Sequence, residues 1–509
     1  MAQRRLADLL PGQQCTDRVV RDFLRSQGGR LECVVARDGA VFAVRGTIRR
    51  RVLRQLLRCV EEQVGSAELV EVNPPDFRRW REGARPRSAV ELAAARKEAN
   101  KTVEYVFAAA IERQASDVYL DIRRKEAFLS FRTFGFRRPF EESFSREAGL
   151  ELARSIWALG QNAQFQEGGV CDVVFEFPHG DRSYRIRGNG VKEIRGNSVV
   201  CRVLDPEFIV PLRDAGYTPG QVNQIERICR SPGGLILISG ETNSGKSTTL
   251  AGLMADLPQT QKIIEIADPV ERIMDHVTHI EVPRYGDNVD DLTKEIMQCL
   301  VRQNPDTLVL GEVRDRVTAE MAREMGVEGK RVLSTVHTQS CAAAIPRLMH
   351  LGIPGWQLGT RQFLAGIVNQ NLVPVVCPGC GLRKHSDQDI DGRVRRKFGS
   401  DAQVRFVNPT GCADCSGGVS GQTLVAEVYP LWLDRSGKAH ELIAAAKLAE
   451  LERYMREEGP AGGTLTKHAH ASQKIRAGEI DPVHTERIIG EFGAEDLAAG
   501  DNKIVQFRR

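Results

Sequence analysis

The sequence lacks the features that would place it in a membrane or outside the cell. None of its apolar stretches approaches the roughly 18 to 20 residues that a membrane-spanning helix needs. Its first eleven residues lack the long apolar core of a secretory signal. It also contains no internal repeat and no long low-complexity segment. We therefore expect a soluble globular protein that stays in the cytosol.

A strong excess of one charge is also missing. The 71 Lys and Arg residues outnumber the 67 Asp and Glu residues by only 4. Because proteins that bind nucleic acid usually carry a marked basic excess, nucleic acid is not an expected partner. Cysteine, in contrast, is abundant, with 12 residues. In a reducing compartment we expect these cysteines to be free thiols or metal ligands and not disulfides.

A chain of 509 residues predicts three or four domains at about 150 residues each. Residues 31–45 show a hairpin pattern, residues 47–64 a helical one, and residues 73–87 the Pro- and Arg-rich composition of a linker. After a second helical pattern at residues 88–114, short alternating strands predict an α+β domain. From residue 220 to about 370, strands alternate with helices, which predicts a parallel sheet.

A phosphate-binding loop is the most specific motif. The pattern G-x-x-x-x-G-K-[ST] runs from Gly240 through Gly245 and Lys246 to Ser247, between an apolar strand and a helix. Glycine lets the backbone N–H groups point at phosphates, and the helix N-terminus adds partial positive charge. Lys246 would reach the β- and γ-phosphates, and the Ser247 hydroxyl would ligate Mg²⁺. With Thr248, these residues predict a site for ATP and Mg²⁺.

Three further apolar runs end in polar residues. One leads to Asp268 and Glu271, one to Glu312 and one to His337. Because ligands of α/β folds bind at the carboxyl ends of the strands, we expect these side chains beside the nucleotide. Glu312 would orient or deprotonate the attacking water, and His337 would sense the γ-phosphate.

Two C-x-x-C pairs, with 31 residues between them, predict a metal site. Cys377, Cys380, Cys412 and Cys415 form a four-thiolate set typical of structural Zn²⁺. Four thiolates leave no open coordination position, so the metal would be structural. His385 is an alternative ligand.

In this order the motifs resemble the secretion ATPases of type II secretion and type IV pilus assembly, over residues 115 to 490. The resemblance identifies Walker A, Asp-box, Walker B and His-box motifs, with Glu312 as the catalytic carboxylate. It also implies nucleotide-contacting arginines in the preceding domain, at Arg187 and Arg202. Three positions depart from the family pattern: Ala267 replaces an Asp-box Glu, Tyr119 replaces a His and Phe134 replaces an Asp.

The resemblance implies an α/β fold with a RecA-like core and a preceding α+β domain of PAS type. The expected regions are an N-terminal docking domain, an arginine-bearing domain, the ATPase core, a zinc subdomain and C-terminal helices, at residues 1–90, 91–215, 216–375, 376–430 and 431–509. The cysteine module favours assembly over retraction. The C-terminal histidines His468 and His470 are expected to be exposed polar residues.

The implied function is a motor, a hexameric ring that hydrolyses ATP to build a pilus or a type II pseudopilus. Its expected partner is an inner-membrane platform protein, so the cytosolic ring would associate peripherally with that membrane. Two alternatives stay open. One is an ATPase of conjugative type IV secretion, and the other is a nucleotide-regulated scaffold with weak hydrolysis, which the loss of the acid at Ala267 would suit.

Overall fold

The computed structural model describes residues 33–36, 40–44, 50–72, 89–140, 143–160, 163–282, 295–296, 299–300, 302–399, 401–460 and 463–493. The chain divides into two compact units, Met1–Thr102 and Val103–Arg509, which are described separately. The predicted linker at residues 73–87 and the N-terminal eleven residues lie outside the described residues. Among the described residues, no helix is long and apolar enough to cross a membrane.

The first unit contains a three-stranded sheet and one long helix. Its elements are β1 (Cys33–Val35), β2 (Ala40–Val44), α1 (Arg50–Val64) and β3 (Glu68–Val72). β1 pairs antiparallel with β2, which confirms the two strands of the predicted hairpin. β2 pairs parallel with β3, as a crossover through a helix allows. Leu56 and Val60 of α1 are fully buried, so this helix has the predicted apolar side.

The first part of the second unit is an antiparallel sheet covered by helices. Its elements are the part of α2 (Ala89–Glu112) from Val103 onward, β4 (Ala115–Ile122), β5 (Glu126–Thr133), β6 (Phe136–Pro139), β7 (Phe144–Ser145), α3 (Arg146–Ala158), β8 (Cys171–His179), β9 (Arg182–Glu193) and β10 (Gly196–Leu204). The strand order is β6-β5-β4-β10-β9-β8, with β7 paired to β5. Phe107 and Trp157 are fully buried against it. We refer to residues 115–204 as the arginine domain.

The second sheet of this unit has the predicted parallel arrangement. Its strands are β11 (Gly234–Ser239), β12 (Ile263–Ala267), β13 (Val277–Glu281), β14 (Thr307–Leu310), β15 (Arg331–Val336), β16 (Leu364–Val376) and β17 (Val419–Tyr429). The order is β13-β12-β14-β15-β11-β16-β17. All neighbours are parallel except β17, which runs antiparallel to β16. The apolar runs before Lys246, Asp268, Glu312 and His337 are thus strands that end at one edge.

Helices pack on both faces of this sheet and follow it. They are α4 (Pro219–Cys229), α5 (Lys246–Ala255), α6 (Arg316–Val327), α7 (Cys341–His350), α8 (Gly355–Leu358), α9 (Gln388–Phe398), α10 (Lys438–Ala444), α11 (Leu448–Glu457), α12 (Lys467–Arg476) and α13 (Pro482–Ile489). Two apolar clusters lie on opposite sides of the strands, as in a three-layer α/β fold.

One expectation for the C-terminal helices is wrong. His470 of α12 is not an exposed polar residue but is 1% exposed. Its Nδ1 accepts a hydrogen bond from the backbone N–H of Ala426 on β17, at 3.1 Å. Burial lowers the pKa of His470 to about 3, so the imidazole is neutral and serves as a buried acceptor.

Candidate functional site

The phosphate loop connects β11 to the first turn of α5. Gly240 and Gly245 have φ values of 152° and 83°. A Cβ atom at Gly240 would lie 2.4 Å from the carbonyl oxygen of Gln370, so only glycine fits there. The Lys246 ammonium donates to the carbonyls of Gly240 and Glu241, at 2.9 and 2.7 Å. The loop is therefore folded around its lysine, with glycine at the two positions that require it.

A buried hydrogen-bond network supports the loop from below. Gln370 of β16 donates to the Ser244 carbonyl at 2.8 Å. Its amide oxygen accepts from Tyr217 at 2.5 Å and from Thr249 at 3.0 Å. Because each of these groups is satisfied by the others, the network holds the loop in one conformation. Sequence reasoning did not identify it, although the polar run Asn369–Asn371 inside a buried strand was a signal.

Glu312 and His337 lie next to the loop lysine. They follow β14 and β15, which are parallel neighbours. His337 Nε2 is 3.3 Å from Glu312 Oε1, and its Nδ1 is 3.4 Å from Lys246 Nζ. With Lys246 protonated, Nδ1 is the acceptor and Nε2 carries the hydrogen that faces Glu312. The imidazole thus bridges the phosphate-binding lysine and the carboxylate at the end of β14.

Burial shapes the charge of this group. It lowers the pKa of Lys246 to about 8, although Glu312 and Glu271 act in the opposite direction. Burial, followed by the charge of Lys246, also lowers the pKa of His337. At neutral pH the histidine is therefore uncharged. A partly buried lysine with a lowered pKa at a helix N-terminus gains from the binding of an anionic ligand.

The Asp-box residues form a loop after β12. Asp268 and Glu271 both line the same cleft as Lys246. So does Arg272, whose guanidinium donates to the Glu271 carbonyl at 3.0 Å. Burial lowers the pKa of this arginine. Sequence reasoning did not single out Arg272.

The arginine domain supplies the opposite wall of the cleft. Arg187 of β9 and Arg202 of β10 are register partners, and both line the cleft. The Arg202 guanidinium lies 3.4 Å from a carboxylate oxygen of the buried Asp117. It also donates to Asn243 in the phosphate loop, at 3.4 Å. A contact therefore already joins this domain to the loop.

The resulting cleft has a volume of about 820 Å³. Most of the predicted nucleotide-site residues line it, namely Gly245, Lys246, Ser247, Thr248, Asp268, Glu271, Glu312, His337, Arg187 and Arg202. Gly240, which directly follows β11, is not among the residues that line it. The volume is in the range expected for a ligand of nucleotide size. The arrangement brings cationic, acidic and imidazole groups to one place from two domains.

The four predicted metal-ligating cysteines form a separate cluster. Their sulfur atoms lie within 4.8 Å of one another. Three of the distances are 3.7, 3.7 and 3.6 Å. A tetrahedral Zn²⁺ with Zn–S bonds of about 2.3 Å places sulfurs about 3.8 Å apart, so these thiols fit the ion. The backbone N–H groups of Cys412 and Gly418 point at Cys415 Sγ from 3.2 Å, as donors to a thiolate would.

The arginine domain also contacts the loop that follows these cysteines. Arg138 of β6 donates to the carbonyls of Ser416 and Gly417, at 2.9 and 3.3 Å. The Phe136 ring meets His484 of α13 edge to face, with centroids 5.3 Å apart. The arginine domain is therefore bonded to the backbone loop that directly follows Cys415.

Comparisons with known proteins agree with this arrangement. Residues 93–481 match the profile of the family described as Type II/IV secretion system protein. The type II secretion system ATPase E of Vibrio cholerae is 29% identical over 338 residues, which cover 64% of each chain. The type IV pilus assembly ATPase PilB of Thermus thermophilus is 27% identical over 413 residues, which cover 79% of this chain and 44% of that protein.

Solved structures show the same fold. The ATPase DotB of Yersinia pseudotuberculosis superimposes with a TM-score of 0.54 at 18% identity. The superposition covers 76% of this chain and 92% of that one. At this identity the likeness concerns the fold alone. The chain spans less than two thirds of the length of the two curated relatives named above.

Proposed function

This chain belongs to the Type II/IV secretion system protein family, and on that basis we propose that it is an ATP-hydrolysing motor that powers assembly of a type IV pilus or a type II secretion pseudopilus. The observation that carries the proposal is the convergence of Lys246, His337 and Glu312 on one cleft whose opposite wall belongs to another domain. A site closed by two domains can convert a chemical step into relative motion.

In this proposal the protein groups act as follows. The loop N–H groups and Lys246 bind the β- and γ-phosphates, and Ser247 supplies the hydroxyl ligand for Mg²⁺. The ion, when bound, neutralises charge that develops on the phosphates. Glu312 accepts a proton from the attacking water or orients it. His337 positions Glu312 and reports on the γ-phosphate. Thr248 follows the metal-ligating hydroxyl in the first turn of α5.

The remaining site residues act on the nucleotide from two directions. Arg187 and Arg202 stabilise the negative charge of the transferring phosphoryl group. Asp268 and Glu271, on the loop after β12, would hold the ion or its bound water. Ala267 brings no carboxylate to the carboxyl ends of the strands. We propose that Asp268, Glu271 and Glu312 suffice for hydrolysis without a carboxylate at position 267.

The proposal extends to the assembly. Five regions, at residues 1–90, 91–215, 216–375, 376–430 and 431–509, would serve as docking domain, arginine-bearing region that includes the arginine domain, ATPase core, zinc subdomain and helical region. The chain would form a hexameric ring on the cytoplasmic side of the inner membrane and act on a platform protein there. Four thiols suited to Zn²⁺ favour assembly over retraction. The relatives include type II secretion ATPases and a type IV pilus assembly ATPase, so their names are compatible with both systems.

A turnover assay on purified protein tests the motor proposal. In Glu312→Gln, the side chain keeps its size but loses the proton acceptor. We expect ATP hydrolysis to fall by about 10² to 10⁴-fold while ATP binding is retained. The control is Glu328→Gln, because Glu328 is an exposed glutamate at the end of α6, outside the cleft.

The same assay separates the motor from the scaffold. If the wild-type chain binds ATP but hydrolyses it no faster than Glu312→Gln, the motor proposal is wrong and the nucleotide-regulated scaffold replaces it. Stimulation of turnover by conjugative-system components instead of pilus or type II components would favour the other secretion class.

A further inference from the structure

We propose that Arg185 and Glu281 form a latch that holds the arginine strand β9 against the Asp-box loop, and that Arg185 is a positioning residue for ATP hydrolysis. The proposal rests on the function proposed above, because it explains how a second domain is brought to the cleft. Neither residue lines the cleft itself. The latch would therefore act through its neighbours and not by touching the nucleotide.

The contact between the two side chains is bidentate. Arg185 Nη1 and Nη2 donate to Glu281 Oε1 and Oε2, at 2.5 and 3.0 Å. The guanidinium also donates to the Val270 carbonyl, at 3.3 Å. A planar fork on a carboxylate fixes both distance and direction, which a lysine would not do. The arginine side chain is 19% exposed and the glutamate side chain 44% exposed, so water still screens part of this pair and its geometry matters more than its charge.

Glu281 holds the Asp-box loop as well as the arginine. It ends β13 and is the register partner of Ala267 on β12. Its Oε1 accepts the backbone N–H of Val270 at 2.9 Å. Because Val270 lies between Asp268 and Glu271, one carboxylate fixes the middle of the acidic segment. A second bond, from the Ile273 N–H to the Pro206 carbonyl at 3.0 Å, ties the loop to the chain that leaves β10.

Because Arg185 lies close to Arg187 on β9, the latch would also position the arginines of the cleft. Arg185 and Arg187 are two positions apart on β9, so both side chains lie on the same face of the strand. Arg187 lines the cleft, and Arg202 is its register partner. When Arg185 is bound to Glu281, these two arginines and the acidic loop are held at a set distance. Opening the latch would free both at once.

Electrostatics favour the closed form. The hydrogen bonds from Arg185 hold the pKa of Glu281 below its ordinary value. The same bonds raise the pKa of Arg185. Both groups therefore remain charged across the physiological range, and the latch responds to domain movement and not to pH.

Charge reversal on the full-length protein tests the latch. Arg185→Glu places two carboxylates together, and Glu281→Arg places two guanidinium groups together. We expect each to lower kcat by about 10 to 100-fold, because displacement of an aligned group by about 1 Å has that effect. The Kd for a non-hydrolysable ATP analogue should change less than about threefold, since the phosphate loop is untouched. The double variant should recover at least about fivefold in kcat.

A second measurement does not depend on turnover. Amide hydrogen exchange of segment 268–282 should be faster in each single variant, because Glu281→Arg removes the acceptor of the Val270 N–H and Arg185→Glu repels that acceptor from its position. Arg154→Glu is the matched control. It reverses an arginine of the same domain whose ion pair, among the residues that the structure describes, is with Glu151 on the same helix α3, at 3.3 Å.

The outcomes separate the latch from the motor proposal. If Arg185→Glu keeps kcat within twofold of Arg154→Glu, or leaves the exchange of segment 268–282 unchanged, the latch is overturned. A double variant no better than the worse single variant also overturns it, because the two side chains would then act separately. If the wild-type chain does not hydrolyse ATP, the motor proposal fails, and the exchange result alone decides whether the latch exists.

Discussion

The nucleotide cleft and the cysteine cluster are assembled over very different lengths of chain. The cleft is lined by residues from Ser116 to Ile488 and needs two sheets. The cysteine cluster takes its four sulfurs from two short segments, 377–380 and 412–415. The ligands of the cysteine cluster can be identified from spacing alone, because each C-x-x-C turn supplies two of the four sulfurs. The first site also depends on how one domain is held against another.

This difference predicts that the two sites differ in mobility. The four sulfurs of the cluster already stand at distances that suit one ion, so binding requires little movement. In the cleft, Arg202 reaches the phosphate loop through a long contact of 3.4 Å with Asn243. We therefore expect one site to be rigid once filled and the other to open and close.

The strongest test of the comparison removes one thiolate. In Cys412→Ser, Zn²⁺ affinity should fall by about 10² to 10³-fold, since a four-ligand structural site contributes about 10 to 16 kcal/mol in total. Competition with a chromophoric chelator measures the affinity. The control is Cys299→Ser, because Cys299 is an exposed cysteine outside the cluster. Full Zn²⁺ affinity in Cys412→Ser would show that the cluster is not a metal site.

A smaller effect is expected from the lysine of the cleft. Lys246→Met removes the ammonium that would bind phosphate, and ATP affinity should fall by about 10 to 100-fold, because a hydrogen bond to a charged group is worth about 1.5 to 3 kcal/mol. Equilibrium binding of a fluorescent ATP analogue measures this loss. Unchanged affinity would place the phosphates away from Lys246.

The wild-type lysine should also make ATP binding dependent on pH. Burial lowers its pKa to about 8 in the free protein, and phosphate should raise it again. Binding then takes up a proton above pH 8, so affinity is full below that value and declines as pH rises. From pH 7 to pH 9 we expect about a tenfold loss, and no comparable loss in Lys246→Met. His337 does not contribute, since it is already uncharged there.

The sequence predicts the strands of the parallel sheet, but not the residues of other elements that contact them. Short apolar runs predict strands β11, β12, β14 and β15, which are followed by Gly240, Asp268, Glu312 and His337. Local composition is enough for this, because buried parallel strands are continuously apolar. The metal site is likewise predicted from a local pattern, the spacing of the two C-x-x-C pairs.

The sequence could not reveal contacts that depend on tertiary placement. Gln370 supports the phosphate loop from a strand 130 positions further along the chain than Gly240. The sequence predicts an exposed polar residue at His470, but α12 packs the helix side that carries His470 against β17. The Arg185–Glu281 pair joins two domains across 96 positions. None of these has a local pattern, because each follows from the order of strands or the docking of domains.

The smallest expected effect, that of Arg138→Ala, tests whether the nucleotide cleft and the cysteine cluster are independent. Arg138 bonds the arginine domain to the carbonyls of Ser416 and Gly417, next to Cys415. Arg138→Ala should lower kcat for ATP by about two to fivefold, because one of several domain contacts is lost. Zn²⁺ content should not change, since no thiolate is removed. Turnover and metal analysis on the same preparation measure both.

Arg137→Ala is the matched control for this variant. Arg137 is the neighbouring arginine of β6, but its ion pair with Asp121, at 2.5 Å, stays inside the arginine domain. A loss of turnover in Arg138→Ala that Arg137→Ala does not share would show that the loop beside the cysteines helps to hold the cleft closed. Equal turnover in the two variants would mean that the metal cluster stabilises only its own module. In that case, closure of the cleft depends on contacts such as Arg185–Glu281 and not on the cysteine loop.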